Sequence, residues 1–244
     1  MDPTGLHYFP LALPIYAILI GAFVVVFALI ELKILVYAYQ RIGVHPRYVG
    51  VVLLASLLGA AVNIPVAQLP AEEVVSDQIV SFYGVRYVVP VVRQWPGCVI
   101  AVNVGGAVIP SLLSVYLLSN NRLFLRGLIG VAVVSLAVHA MAYPVRGLGI
   151  AVPTLAPPII AACAGLALSP RAAPALAYIS GSLGTLIGGD LLNLGKIQGL
   201  GAPVASIGGA GTFDGIFVTG ILAVLLAAIG PRSAETRHVR ESDA

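Results

Sequence analysis

The chain has 244 residues, 59% of them hydrophobic and 9% charged, with a formal net charge of +3 and a mean hydropathy of +1.01. Soluble domains carry about a quarter charged residues, so the composition excludes that class and specifies a polytopic membrane protein. The small positive balance is accounted for by basic loops and implies no nucleic-acid partner.

A membrane-spanning helix needs about 20 mostly apolar residues, and on that basis the sequence predicts an all-α bundle of about seven spans. They run from Phe9 to Tyr39, Tyr48 to Ala67, Gly97 to Ser119, Gly127 to Ala142, Pro157 to Leu168, Ala173 to Leu194 and Val204 to Ile229. Residues 1–230 form a single transmembrane domain on this reading, and the polar stretch from Pro231, "PRSAETRHVRESDA", forms a disordered cytoplasmic tail. The opening "MDPTGLHYFPLALP" lacks a positive n-region and is not a cleavable signal. Glu31 and Lys33 fall near the inner end of the first span, where they can snorkel or pair.

Between the second and third spans, Gln68 to Pro96 lies outside the membrane. Its "QIVSFYGVRYVVPVV" is rich in β-branched and aromatic residues and breaks at Gly84, which predicts a short β-hairpin. Such a hairpin can cover the mouth of the bundle or pair with an extended peptide. Between the fourth and fifth spans, "YPVRGLGIAVPTLAPP" carries four prolines and two glycines. Irregular backbone of that kind cannot face lipid, so it caps the bundle or re-enters it under protein cover. Cys98 and Cys163 have no metal or redox spacing and are read as packing residues.

The basic residues set the orientation. Lys33, Arg41, Arg47, Arg122, Arg126, Arg171, Arg232, Arg237 and Arg240 fall on one side, against Arg86, Arg93, Arg146 and Lys196 on the other. By the positive-inside rule the amino terminus is outside and the carboxyl terminus cytoplasmic, as in a multi-pass protein of the cell membrane.

Two carboxylates interrupt the last two spans. Asp190 follows Gly188 and Gly189, and Asp214 lies among Gly208, Gly209, Gly211 and Gly215. A charge at the bilayer centre costs on the order of 3 kcal/mol on insertion scales and marks a cavity or a partner. Glycines permit close helix approach, and they also permit a helix to unwind around a polar site. Counting about 1.5 Å per helical residue from the outer ends leaves the two carboxylates about two turns apart in depth. If they meet, one keeps its proton, and a carboxyl–carboxylate pair sharing a water is the arrangement that hydrolyses peptide bonds.

"IGGD", ending at Asp190, is similar to the Gly-x-Gly-Asp signature of presenilin-like and prepilin-peptidase-like intramembrane aspartyl proteases. The resemblance implies that Asp190 and Asp214 form the catalytic pair, acting on a membrane-protein or peptide substrate without a cofactor. The sequence departs from that pattern in having Ile187 at the first position, the signature on the earlier helix, and "PAL" ahead of both aspartates. Over nearly the whole chain, "VNVGGAVIP", "YPVRGLGIAVP", "SLGTLIGGDLLNL" and "ASIGGAGTFDGIF" resemble an uncharacterised family of archaeal and bacterial integral membrane proteins, a domain of unknown function. That resemblance implies a multispan fold and no particular activity.

Two other readings stay open. "VNVGGAVIP" and "SIGGAGTFDG" resemble each other as a weak parallel repeat, and Asn103, Asp190, Asn193, Ser206 and Asp214 on broken helices can form a Na⁺ or H⁺ site of a transporter or lipid-carrier handling protein. Alternatively, the aspartates only cap broken helices. No metal is implied, since His7, His45, His139 and His238 are scattered without ligand spacing. The glycine-rich blocks lack the lysine of a phosphate loop, and "ISGSLG" has no histidine near it in sequence for serine hydrolysis.

Overall fold

The computed structural model describes residues 13–229 except 71, 96, 146–148, 198, 199, 201 and 210–214. Asp214, Gly211, Arg146 and the tail from Pro231 therefore lie outside the described residues. The chain divides into two units, Met1–Tyr37 and Ala38–Ala244. The described part of the first belongs to α1 (Leu13–Arg41). From Tyr16 on, α1 is apolar with a mean window hydropathy of 2.6, and none of that window is buried.

In the second unit, α1 ends where Gly43 adopts φ +98. Val44 N–H bonds the Tyr39 carbonyl and Gly43 N–H the Gln40 carbonyl, the paired bonds of a glycine-terminated helix. His45 then caps α2 (Pro46–Ala60) by accepting the Arg47 N–H at 3.3 Å, with proline at the first helical position. β1 (Asn63–Leu69) follows directly, so the second expected span turns from helix to strand before its end at Ala67.

The expected hairpin is present and longer than the sequence suggested. β2 (Glu72–Phe82) and β3 (Val85–Trp95) pair antiparallel from Glu72↔Trp95 to Phe82↔Val85. Tyr83 and Gly84 turn the chain with φ 49 and 80, the double positive φ that matches the twist of a two-residue hairpin.

β4 (Cys98–Asn103) leads into a π-helical turn, Val104–Val108, and α3 (Ile109–Asn120). α4 (Phe124–Met141), the small ribbon β5 (Tyr143–Val145) and β6 (Gly149–Ala151), and α5 (Ala156–Leu168) come next. α6 (Ala173–Thr185) runs into a second π-helical turn, Leu186–Asp190, and a 3₁₀ stretch, Leu191–Lys196. β7 (Val204–Ile207) and α7 (Gly215–Ile229) complete the described chain.

These elements correct the all-α expectation. β4 lies between β1, antiparallel, and β7, parallel, in a three-stranded sheet. The third and seventh expected spans thus begin as strands, and the sixth is broken at Leu186. Depth counted at a uniform helical rise does not hold across them. The fold is mostly helical with small sheets, and among the described residues three helical stretches, Tyr16–Arg41, Phe124–Met141 and Pro170–Lys196, are long and apolar enough to cross a membrane. Pro46–Ala60, Val104–Asn120, Ala156–Leu168 and Gly215–Ile229 are shorter and also apolar.

α6 is the central element, buried at every position but Pro174 and Leu183. Its neighbours are α3, α4, α5 and α7, and small residues let them approach. Gly165 of α5 sits where a Cβ would stand 2.7 Å from the Ala173 carbonyl, and Gly184 faces Val134 of α4 in the same way. The outward faces are apolar too, with Leu54 and Leu58 on α2, Leu112 and Val115 on α3, and Leu125, Leu128 and Leu136 on α4 all exposed.

Candidate functional site

Both π-helical turns are built on a glycine pair, Gly105–Gly106 and Gly188–Gly189. A Cβ on Gly105 would run into the backbone of Ser56 and Ala60, and one on Gly188 into the Ser135 carbonyl. The pairs therefore hold the broken helices against α2 and α4 at backbone contact, where any side chain would separate them.

An asparagine secures each break. Asn103 Oδ1 accepts the Gly106 N–H at 2.8 Å, and its Nδ2 donates to the Ala60 carbonyl at 2.8 Å and to Asn63 Oδ1 at 3.2 Å. Asn193 Nδ2 donates to the Gly188 and Gly189 carbonyls at 2.8 and 3.0 Å. Both asparagines are essentially inaccessible. Their amides replace hydrogen bonds that the widened turns cannot make, as buried backbone polar groups require.

Asp190 ends the second π-turn, and its Oδ2 accepts the Gly208 N–H at 2.7 Å. Gly208 and Gly209 adopt φ +90 and +79, a region natural to glycine. A Cβ on Gly208 would stand 2.6 Å from the Ala107 nitrogen, so Gly208 joins the two broken-helix regions. Among the described residues no basic side chain forms an ion pair with Asp190.

The carboxylate opens on a cavity of about 340 Å³, whose polar wall includes Thr185, Asp190 and Ser206 and whose glycines include Gly189, Gly209 and Gly215. Ile150, Val152, Ile197, Ile207 and Ile216 supply the apolar part. A small apolar pocket with few convergent polar groups is the usual form of a ligand or active site.

Of the residues expected from sequence, Asp190, Gly189, Ser206, Gly209 and Gly215 share this cavity, and Gly208 binds the carboxylate. Gly188, Asn103 and Asn193 brace the surrounding backbone. Gly209 and Gly215, which line the cavity, are the described residues nearest to Asp214 in the chain on either side. Sequence reasoning missed Asn63, whose Oδ1 receives both Asn103 Nδ2 and, at 2.6 Å, Ser206 Oγ. Asn103 and Ser206 occupy the same position ahead of "VGGA" and "IGGA", so the weak repeat held the clue to a shared partner. In space β4 and β7 pair in parallel with Val102 opposite Ile207, two residues out of step with the sequence alignment of the blocks.

The architecture is that of a helical protein organised around a glycine-broken central helix and a carboxylate-bearing cavity. The chain belongs to the family described as protein of unknown function (DUF1614), whose model matches residues 57–226. That range takes in both broken helices and the whole cavity wall. No curated protein and no solved structure matches the chain.

Proposed function

We propose that the protein is a multi-span membrane protein acting as an intramembrane aspartyl endopeptidase, with Asp190 and Asp214 as the catalytic pair. The observation that carries the reading is the setting of Asp190: its carboxylate, bonded to the Gly208 N–H, stands on the wall of a cavity that Gly209 and Gly215 also line. The apolar outward faces of α2, α3 and α4 support lipid as their surroundings. The basic-residue bias supports an outer amino terminus and a cytoplasmic carboxyl terminus in the cell membrane.

In this mechanism the two carboxyls share one proton. The ionised member takes a proton from water as it attacks the scissile carbonyl, and the protonated member donates to the carbonyl oxygen. The tetrahedral intermediate collapses as the amine leaves with a proton. No cofactor takes part. The Gly208 N–H fixes the orientation of the Asp190 carboxylate, and Ser206 and Thr185 supply polar lining.

Asp190→Asn and Asp214→Asn, reconstituted with a single-span reporter substrate, are each expected to lose cleavage while keeping the circular dichroism and elution profile of the parent. Retained cleavage in either variant overturns the assignment. The two π-broken helices favour a second reading, a proton- or sodium-coupled transporter or lipid-carrier handling protein, because interrupted helices are where coupling ions bind. It predicts pH- or sodium-dependent flux, lost in the same variants, with no cleavage by the parent.

A further inference from the structure

A second concavity, a groove of about 560 Å³, lies where α3, α4 and the broken α6 helix meet, away from the Asp190 cavity. Leu118 of α3, Phe124 and Leu128 of α4, and Leu183 and Ile187 of the broken helix form its wall, and every side chain on it is apolar. Phe124 and Leu128 are 59% and 67% exposed. The lining residues of α4 run from Phe124 to Val131, about 10 Å of helix, against about 15 Å for the hydrocarbon of one leaflet. The groove is thus open to the side and about as deep as a lipid chain needs.

Its Phe124 end is charged. The α3–α4 corner carries Arg122 and, in the first turn of α4, Arg126, both exposed. Between them Leu123 is buried in a cluster with Ala175 and Leu176, which fixes the corner against the bundle. Arg122 is held at φ 50, a conformation that few residues other than glycine and asparagine adopt readily. No side chain caps α4, and its first turn has no acidic residue, so the positive end of the helix adds to the two guanidinium charges. From Gln78 to Gly189, a stretch that holds every residue of the groove, the sequence has six arginines and no aspartate or glutamate.

We propose that the groove is a site for one acidic phospholipid of the surrounding bilayer, with an acyl chain along α4 and the anionic headgroup on Arg122 and Arg126. A guanidinium pairs with phosphate oxygens through two parallel hydrogen bonds. The apolar wall accepts the chain of any lipid, and the charged end selects one whose headgroup carries a net negative charge. A free anion would use the arginines and leave the groove without an occupant. The site rests on the membrane part of the functional reading and is independent of the protease assignment.

The test uses the full chain in detergent micelles, titrated with dioleoyl phosphatidylglycerol or dioleoyl phosphatidylcholine, with the first bound lipid read by native mass spectrometry. A basic residue beside an acidic headgroup strengthens binding about fivefold at low salt. The parent is therefore expected to prefer phosphatidylglycerol by about 25-fold, and by less as salt is raised. Arg122→Asn keeps a residue suited to the left-handed corner and Arg126→Gln keeps the helix, so the double variant loses charge without losing the fold; it is expected to bind the two lipids about equally. Leu128→Trp fills the groove and is expected to weaken phosphatidylglycerol binding several-fold. Leu136→Trp, on the exposed face of α4 outside the groove, is expected to leave it unchanged. Equal binding of the two lipids by the parent, a preference that survives in the double variant, or equal effects of the two tryptophans overturns the site. Displacement of the lipid by millimolar inorganic phosphate assigns the arginines to a free anion and also overturns it. A chain that stays monodisperse without detergent removes the membrane reading itself, whereas one that needs detergent and shows no lipid preference removes only the site.

Discussion

Gly208 is the residue on which the cavity and the two broken helices depend together, and replacing it by alanine separates the contributions. At φ +90 an L-residue is strained, a cost of about 1–2 kcal/mol. The new methyl would stand 2.6 Å from the Ala107 nitrogen and 2.7 Å from its Cβ, so the backbone of the first π-turn has to move. Overpacking of this kind costs about 1–3 kcal/mol. Together these give about 3 kcal/mol, which for a chain of this size corresponds to a fall of about 6–12 °C in melting temperature. Dye-monitored thermal unfolding in detergent measures it. Gly195→Ala serves as the control, since Gly195 has no atom within 4 Å of a built Cβ, and it is expected to match the parent or exceed it slightly. The displaced N–H also weakens the bond to Asp190, so Gly208→Ala is expected to cost less in an Asp190→Asn background than in the parent. A Gly208→Ala protein melting within about 2 °C of the parent refutes the reasoning.

Asn103→Leu leaves the Ala60 carbonyl and the Gly106 N–H without their 2.8 Å partners; the expected loss is about 2–4 kcal/mol, read as a lower melting temperature and lower folded yield. Gly105→Ala drives a methyl into the α2 backbone, and disulfide trapping between engineered cysteines on α2 and α3 is expected to report the separation as slower cross-linking. Tyr83→Asn places at φ 49 a residue that tolerates this region, ahead of Gly84, and is expected to slow amide exchange across β2 and β3 by up to about fivefold, an effect of about 1 kcal/mol.

The sequence made the apolar helices legible because composition and run length report them directly. It also located the hairpin, since β-branched and aromatic residues broken by Tyr83–Gly84 leave little else to form. It did not disclose β4 and β7. "CVIAVN" and "VASI" are as apolar as a helix interior, and a buried strand of a few residues has no periodicity to separate it from the start of a span. Asp190 and its glycines were identifiable as a charge that needed a reason. Its partner, the Gly208 N–H, was not, because a backbone donor carries no side-chain signature. Asn63 was missed for a related reason: the apolar run from Tyr48 to Ala67 takes it in as part of the second span, and only the strand pairing shows that Asn103 and Ser206 both reach it.

The parallel pairing of β4 with β7 also fixes an order of events during synthesis. β4 is made about a hundred residues before the strand that completes its second edge. Asp190 emerges 18 residues ahead of the N–H that receives it. A nascent chain that has produced α3 through α6 thus holds an unfinished sheet and an unanchored carboxylate. Both are resolved in one step when Val204–Ile207 docks and Gly208 arrives behind it. The cavity wall is closed only when Gly215 and Ile216 at the start of α7 have followed, and a chain arrested before residue 204 would have most of the helices and no site.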